Sequence, residues 1–157
     1  MQLTLARTGP TTATATRDLA AAPSRVFAAH ADAELVRQWL TGPDGWIMPR
    51  CEIDARPGGT LRYDWQAIDG SMAFQLTGEF LALDAPHHIR HIERMFLPDR
   101  TPDNFVDSRF HPQGSGTRMV MTMSVADPTT LDAMLATDMA DGMEASYARL
   151  DTLLSAA

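Results

Sequence analysis

The sequence predicts an α+β domain in which a curved antiparallel sheet wraps around a long C-terminal helix, with two short helices after the first strand. Three observations lead there. Segments with strict period-two alternation follow one another from Trp46 to Val125, separated by Gly, Pro and Asp turn chemistry. Two short segments with apolar stripes lie between Ala22 and Leu40, and a long helical pattern runs from Thr129 to Leu154. Consecutive strands usually pair, and a sheet with one apolar face needs an apolar partner, which only the long helix supplies.

In chain order, Thr11 to Asp18 reads as the first strand. Ala22-Pro23-Ser24 opens a helix, with Pro suited to the first turn, and Val26, Phe27 and His30 share one of its sides. Asp32 caps a second helix carrying Leu35, Val36, Trp39 and Leu40, which ends in the turn Thr41 to Gly45. Trp46 to Ala55 is a strand interrupted by Pro49, which suits an edge or a bulge. Leu61, Tyr63 and Trp65 form the buried side of the next strand, and Asp69-Gly70 marks a hairpin. Met72, Phe74 and Leu76 begin an alternation that continues through Phe80 to Leu83 before the turn at Asp84-Ala85-Pro86. Ile89 to Phe96 is a strand, Leu97 to Asn104 a loop, and Phe105 to His111 and Thr117 to Val125 are strands, the last with Met119, Met121 and Met123 on one face. Asp127-Pro128 opens one continuous helix through Leu154. Its apolar face holds Leu131, Leu135, Met139, Gly142, Met143, Ser146, Leu150 and Leu153, and its solvent side Thr137, Asp141, Glu144, Ala148 and Asp151. Gly142, inside this helix, implies either close approach of another group or a kink.

The 157 residues fit one domain, 1–157, and 45% apolar composition supports a core. Thirteen basic against twenty acidic residues, net −7, argue against nucleic acid and against anionic membranes as partners. No apolar run approaches a membrane span, and Met1 to Pro10 lacks the pattern of an export signal. A single cysteine, Cys51, points to a reducing cytoplasm. In a strand it reads as a small hydrophobe rather than a nucleophile. Ten methionines suit irregular core filling or an adaptable binding surface. A homodimer is left open.

The chain carries no phosphate-cradling glycine loop, no Gly-x-Ser-x-Gly elbow and no His-Glu-x-x-His motif. His87 and His88 sit at a turn and read as solvated, and with His91 or His111 they lack metal-ligand spacing, so neither metal nor cofactor is expected. The informative strand is Ile89 to Phe96. Arg90 and Arg94 prefer water, which turns Ile89, His91, Glu93 and Met95 inward. His91 and Glu93 are therefore the candidate site, open to three readings: a buried ion pair, polar recognition of a ligand, or acid–base catalysis. Asp138 flanks the helix stripe and reads as solvent-facing. Tyr63, Trp65, Phe74, His91, Glu93, Met121 and Met143 are expected to border a common ligand-binding cavity between sheet and helix.

Several stretches carry a family resemblance: Ala22-Pro23 through Trp39, Arg56-Pro57-Gly58-Gly59 followed by Arg62-Tyr63, Gly78 before Pro86, His91-Ile92-Glu93-Arg94, and the ending Gly142 to Leu154. In this order they make the chain resemble the START-like or SRPBCC superfamily, the Bet v 1-like helix-grip fold, over nearly its whole length. Within it the chain is similar to bacterial relatives of the C-terminal domain of the activator of Hsp-90 ATPase. The family often has Trp after the glycine of the last helix, where Met143 stands here. The resemblance implies a binding module for a small hydrophobic or amphipathic molecule. It also implies, as alternatives, an enzyme of the polyketide cyclase/dehydratase type using His91 and Glu93, or a chaperone-ATPase-activating interaction domain. The last ranks third, because the sequence shows no counterpart of the extra domain of the eukaryotic co-chaperone.

Overall fold

The computed structural model describes residues 2–96 and 99–155. Eight strands form one antiparallel sheet: β1 (Thr4–Arg7), β2 (Thr12–Leu19), β3 (Trp46–Ile53), β4 (Thr60–Ala67), β5 (Ala73–Asp84), β6 (His88–Phe96), β7 (Asn104–Gln113) and β8 (Gly116–Ser124), in the order β1-β2-β8-β7-β6-β5-β4-β3. The strands from β3 to β8 are a meander, and β2 returns beside β8. α1 (Pro23–Ala31) and α2 (Ala33–Trp39) carry the chain from β2 to the far edge at β3. α3 (Pro128–Leu135) and α4 (Met139–Ser155) follow β8. The α+β class and the two short helices agree with the sequence, and Asp32 caps α2 by accepting from the Glu34 N–H.

The alternating residues do what their pattern requires. Leu61, Tyr63 and Trp65 of β4 are buried, as are Leu76 and Phe80 of β5 and Met119 and Met123 of β8. All lie on the concave face with Trp39, Phe110, Tyr147, Leu150 or their neighbours. Pro49 lies in edge strand β3, within a register shift between Ile47 and Arg50. β5 and β6 approach closely at Gly78. A Cβ on Gly78 would run into the Ile92 carbonyl oxygen of the neighbouring strand, so only glycine permits this approach.

Several expectations need correction. The continuous helix from Thr129 to Leu154 is two helices, broken at 136–138, where the Ala136 N–H is shared by the Asp132 and Met134 carbonyls and the Thr137 hydroxyl donates to Met134 O. The two pieces serve different clusters: Leu131 packs with Ala13 and Val125, whereas Tyr147, Leu150 and Leu154 join the main core. A straight helix would not reach both. Glu144 and Asp151 do not face solvent. They flank Arg17, which is 3% exposed on the concave side of β2. Residues 4–7 form edge strand β1, absent from the sequence reading. Met72 precedes β5 and is exposed, and a bulge between Phe80 and Ala82 interrupts the alternation toward Leu83. The expected loop from Leu97 begins outside the described residues. Its later part folds back on β6, with the Thr101 N–H donating to Met95 O and Arg100 bridging Phe96. Asn104 belongs to β7 rather than to that loop.

Polar ties hold both flanks of α4. The Arg17 guanidinium donates to both Glu144 carboxylate oxygens at 3.0 Å and lies 3.5 Å from Asp151. On the other flank the Ser146 hydroxyl accepts from the Gly42 N–H, and Arg149 donates to Thr41 Oγ1 and Gly42 O. Gly78→Ala is expected to lower unfolding free energy by about 1–3 kcal/mol, the cost of forcing atoms into a packed region. Urea titration of the two proteins checks this, and equal midpoints would show that the close approach of β5 and β6 does not depend on the glycine.

Candidate functional site

The concave wall can be described in cross-strand rows. Leu61, Gly78, Glu93 and Asn104 are successive partners across β4 to β7, and Phe80, His91, Val106 and Met123 form the neighbouring row across β5 to β8. His91 and Glu93 both point to this wall, their side chains 14% and 29% exposed, while Arg94 on the opposite face is tied to Glu79 and Asp103. His91 Nε2 lies 2.9 Å from Glu93 Oε1. Two polar atoms beside them are buried without any hydrogen-bond partner among the described residues: His91 Nδ1 and Asn104 Oδ1.

Around this group the wall is aromatic and thioether in character. Tyr63 and Trp65 meet edge to face at 5.6 Å, and Trp65 stacks on Phe74 at 5.0 Å. The Trp65 indole donates to Leu40 O, which orients its ring. Met121 and Met143 are half-buried and pack against the Val106–Met123 cluster, together with Met139. All seven residues expected at the cavity lie on the concave side, in three groups. Tyr63, Trp65 and Phe74 stand toward β3, Met121 and Met143 toward β2, and His91 and Glu93 lie on the strand between. A Cβ on Gly142 would meet nothing within 4 Å, so no close approach explains that glycine, and the break in the helix lies before it. Asp138 is exposed at this break and remains apart from the pair.

Two residues absent from the sequence-based set matter. Asn104 falls in the stretch that reads as a loop, although the inward phase of Phe110, Ser108 and Val106, extended back by two, reaches it. Tyr147 of α4 is buried against Trp39, with ring centroids 5.0 Å apart, and is bonded to His30. The His30 Nδ1–H donates to Val26 O at 2.7 Å, since a carbonyl can only accept, so Nε2 accepts from the Tyr147 hydroxyl at 3.0 Å. Burial, and to a lesser extent nearby Glu93, push the Tyr63 and Tyr147 phenols upward, so both stay protonated. Cys51 also faces inward, opposite Tyr63, and burial pushes its thiol up to about 11, which makes it a poor nucleophile. His87 is exposed, whereas His88 is paired with Asp107 on the outer face rather than freely solvated. That outer face carries an open hollow of about 580 Å³ lined by Arg90, Phe105, Asp107, Arg109 and Thr122. Neither partnerless buried atom lies on it.

The model of the family described as Activator of Hsp90 ATPase homolog 1-like protein matches residues 20–155. The chain belongs to this family. Solved structures agree with the assignment. A Rhodobacter sphaeroides protein is 29% identical, with all of both chains covered and a TM-score of 0.92. A Mycobacterium smegmatis protein is 23% identical, covering 99% of this chain and 98% of its own, with a TM-score of 0.84. The AHSA1-like protein of Aeromonas hydrophila, 18% identical over 89% of this chain and 93% of its own, shares the fold at a TM-score of 0.68. No curated protein matches the chain in sequence. As a family member the chain is a ligand-binding or interaction domain. Among the described residues no helix is long and apolar enough to cross a membrane.

His30 yields a pH test of this packing. Burial, with a smaller contribution from nearby His91, pushes its ring down to about 4, against an ordinary value of 6.5. Between these values the unfolded chain binds more proton than the folded one. The stability this site contributes is therefore complete above pH 6.5 and is lost as pH falls toward 4, by on the order of 3 kcal/mol in total. Denaturant titrations between pH 7 and pH 4.5 should show a steeper loss in the native protein than in His30→Gln. Parallel losses would mean that His30 titrates normally.

Proposed function

We propose that the chain binds a small amphipathic molecule on its concave face, between the sheet and α4. The polar end of the molecule lies against His91, Glu93 and Asn104, and its apolar part against Tyr63, Trp65, Phe74, Met121 and Met143. The observation that supports this best is the pair of partnerless buried atoms, His91 Nδ1 and Asn104 Oδ1, on the two residues that neighbour Glu93 along its strand face and across to β7. Leaving such an atom unsatisfied costs about 1–3 kcal/mol, and a fold that tolerates two on one wall has reason to meet a partner there. The thioether and aromatic surroundings suit an apolar body of variable shape. A cytoplasmic setting is part of the proposal and rests on the single cysteine.

A second reading draws on the 2.9 Å contact between His91 Nε2 and Glu93 Oε1. A carboxylate that holds one ring nitrogen directs the other into the cleft as a base, and turnover of a cyclase or dehydratase type would use it. Both readings place the molecule at the same site.

The stability of Asn104→Leu tests the unsatisfied atom directly. Replacing a buried acceptor that has no partner by an apolar group of like shape should raise unfolding free energy by about 1–2 kcal/mol while weakening binding. A loss of stability would show that Asn104 is tied within the fold. Binding of a neutral hydrophobic dye tests the cleft: Met143→Trp should fill it and weaken the dye by about tenfold. Unchanged affinity would remove α4 from the site. Glu93→Gln should keep its melting temperature and alter affinity or turnover. If the pair with His91 is only structural, that variant instead loses stability on the order of 3–5 kcal/mol with affinity unchanged.

A further inference from the structure

We infer that the outer face of the sheet carries a binding site of its own, for a small carboxylate with an apolar body. It lies on the opposite side of the sheet from the cleft and does not depend on the function proposed there. The hollow of about 580 Å³ on this face follows from the alternation of the strands. Thr122 and Asp107, both short, face each other across β8 and β7, and Arg90 stands opposite Asp107 on β6. Two positions away along β7, the larger Phe105 and Arg109 rise on either side of Asp107. Short side chains between long ones leave a dish, and its volume suits a small molecule.

Charge sets the class of ligand. All thirteen basic residues of the chain are arginines, and among the described residues eleven of them are ion-paired. The exceptions are Arg25 on α1 and Arg90, both exposed, and of the two only Arg90 lines the hollow. Asp107, the carboxylate on the hollow, is held at Oδ1 by Arg109 Nε at 3.2 Å and at Oδ2 by His88 Nε2 at 2.9 Å. Arg90, directly opposite, therefore keeps its planar fork for an incoming anion, which it can hold by two parallel hydrogen bonds. The guanidinium groups of Arg90 and Arg109 against the one carboxylate of Asp107 leave the hollow net positive, whatever the charge on His88. Other arginines of this face are matched, Arg94 by Glu79 and Asp103 and Arg118 by Asp18. Beside Arg90 the surface turns apolar. Ile92 follows it on β6, and across from Ile92 stands Phe105, 37% exposed. A carboxylate matches the charge and the fork, and an apolar body matches the ring. An ammonium ligand would meet repulsion here.

The experiment follows side-chain methyl signals of the full chain by NMR during titration with 2-naphthoate, the neutral 2-naphthylmethanol and inorganic phosphate, at fixed ionic strength near pH 7. Ile92 and Thr122 report the outer face, and Met121 and Met143 the concave one. The expected result is that 2-naphthoate moves the Ile92 and Thr122 signals with an affinity at least about tenfold above that of the alcohol or of phosphate. Arg90→Gln, an exposed and unpaired position, should keep the melting temperature and erase that advantage. Arg25→Gln removes the same charge far from the hollow and should leave it intact. An equal loss in Arg25→Gln would trace binding to overall charge and overturn the site. Affinity unchanged in Arg90→Gln would overturn it as well. The alcohol binding as tightly as 2-naphthoate would remove the carboxylate from the inference, and phosphate doing so would remove the apolar body. Movement of the Met121 and Met143 signals alone would assign 2-naphthoate to the cleft, and no movement at all would leave the outer face without a ligand; either result sinks the proposal.

Discussion

Arg17 enters the concave face of the sheet at β2, where the alternation of Ala13, Ala15 and Leu19 would otherwise place a small apolar side chain. A guanidinium removed from water must recover its lost hydration from partners inside the fold, and here Glu144 and Asp151 of α4 provide them. Those two residues lie seven apart, on one side of the helix, so meeting both fixes the rotation of α4 about its axis. The Leu3 and Ala20 N–H groups bond to the same two carboxylates, which anchors the start of the chain and the end of β2 to the helix. Arg17 in turn holds the Glu144 carboxyl below its usual range. The remainder of the interior depends on this clamp.

With α4 so rotated, Tyr147, Leu150 and Leu154 turn into the core toward α1 and α2, and Ser146 and Arg149 meet the loop after α2. Tyr147 then reaches His30, and the ring cluster of His30, Trp39, Phe110 and Tyr147 closes that side. Met139 and Met143 are partly buried and pack against the Val106–Met123 part of the wall. The break at 136–138 belongs to the same geometry. α3 must reach Ala13 and Val125 near the β1–β2 edge, in a direction that α4, held by Arg17, cannot take.

Features governed by local pattern were legible in the sequence. Leu61, Tyr63 and Trp65 announced their burial by alternation, Asp32 its cap by residue type, and His91 with Glu93 their facing by the two arginines that flank them, Arg90 and Arg94. Features governed by distant partners were not. Glu144 and Asp151 look like solvent-side residues on any helical projection, and only a cation 127 positions earlier, for Glu144, turns them inward. The helical projection that gathers Leu131, Leu135, Met139, Gly142, Met143, Ser146, Leu150 and Leu153 on one face leaves Tyr147 just beyond its edge. Asn104 was missed for a different reason: three preceding residues of turn-forming type masked its place in the alternation, and the strand was begun one position late.

The same distinction explains why the candidate site is polar where it is. In most of this interior every buried polar group is matched: Thr117 donates to Ala21 O, the Trp39 indole to Ala29 O, and Tyr147 to His30. Had the Tyr147 hydroxyl been free, it would be the natural donor to the wall around Glu93, whose charge it feels. The Val26 carbonyl prevents this, since by accepting from the Nδ1–H of His30 it leaves Nε2 as an acceptor, and Nε2 accepts the hydrogen bond of the Tyr147 hydroxyl. A backbone oxygen on α1 thus decides, through two side chains, that the Tyr147 hydroxyl is spent away from the wall on which His91 Nδ1 and Asn104 Oδ1 are buried without a partner among the described residues. Packing that satisfied these atoms internally would make a more stable fold.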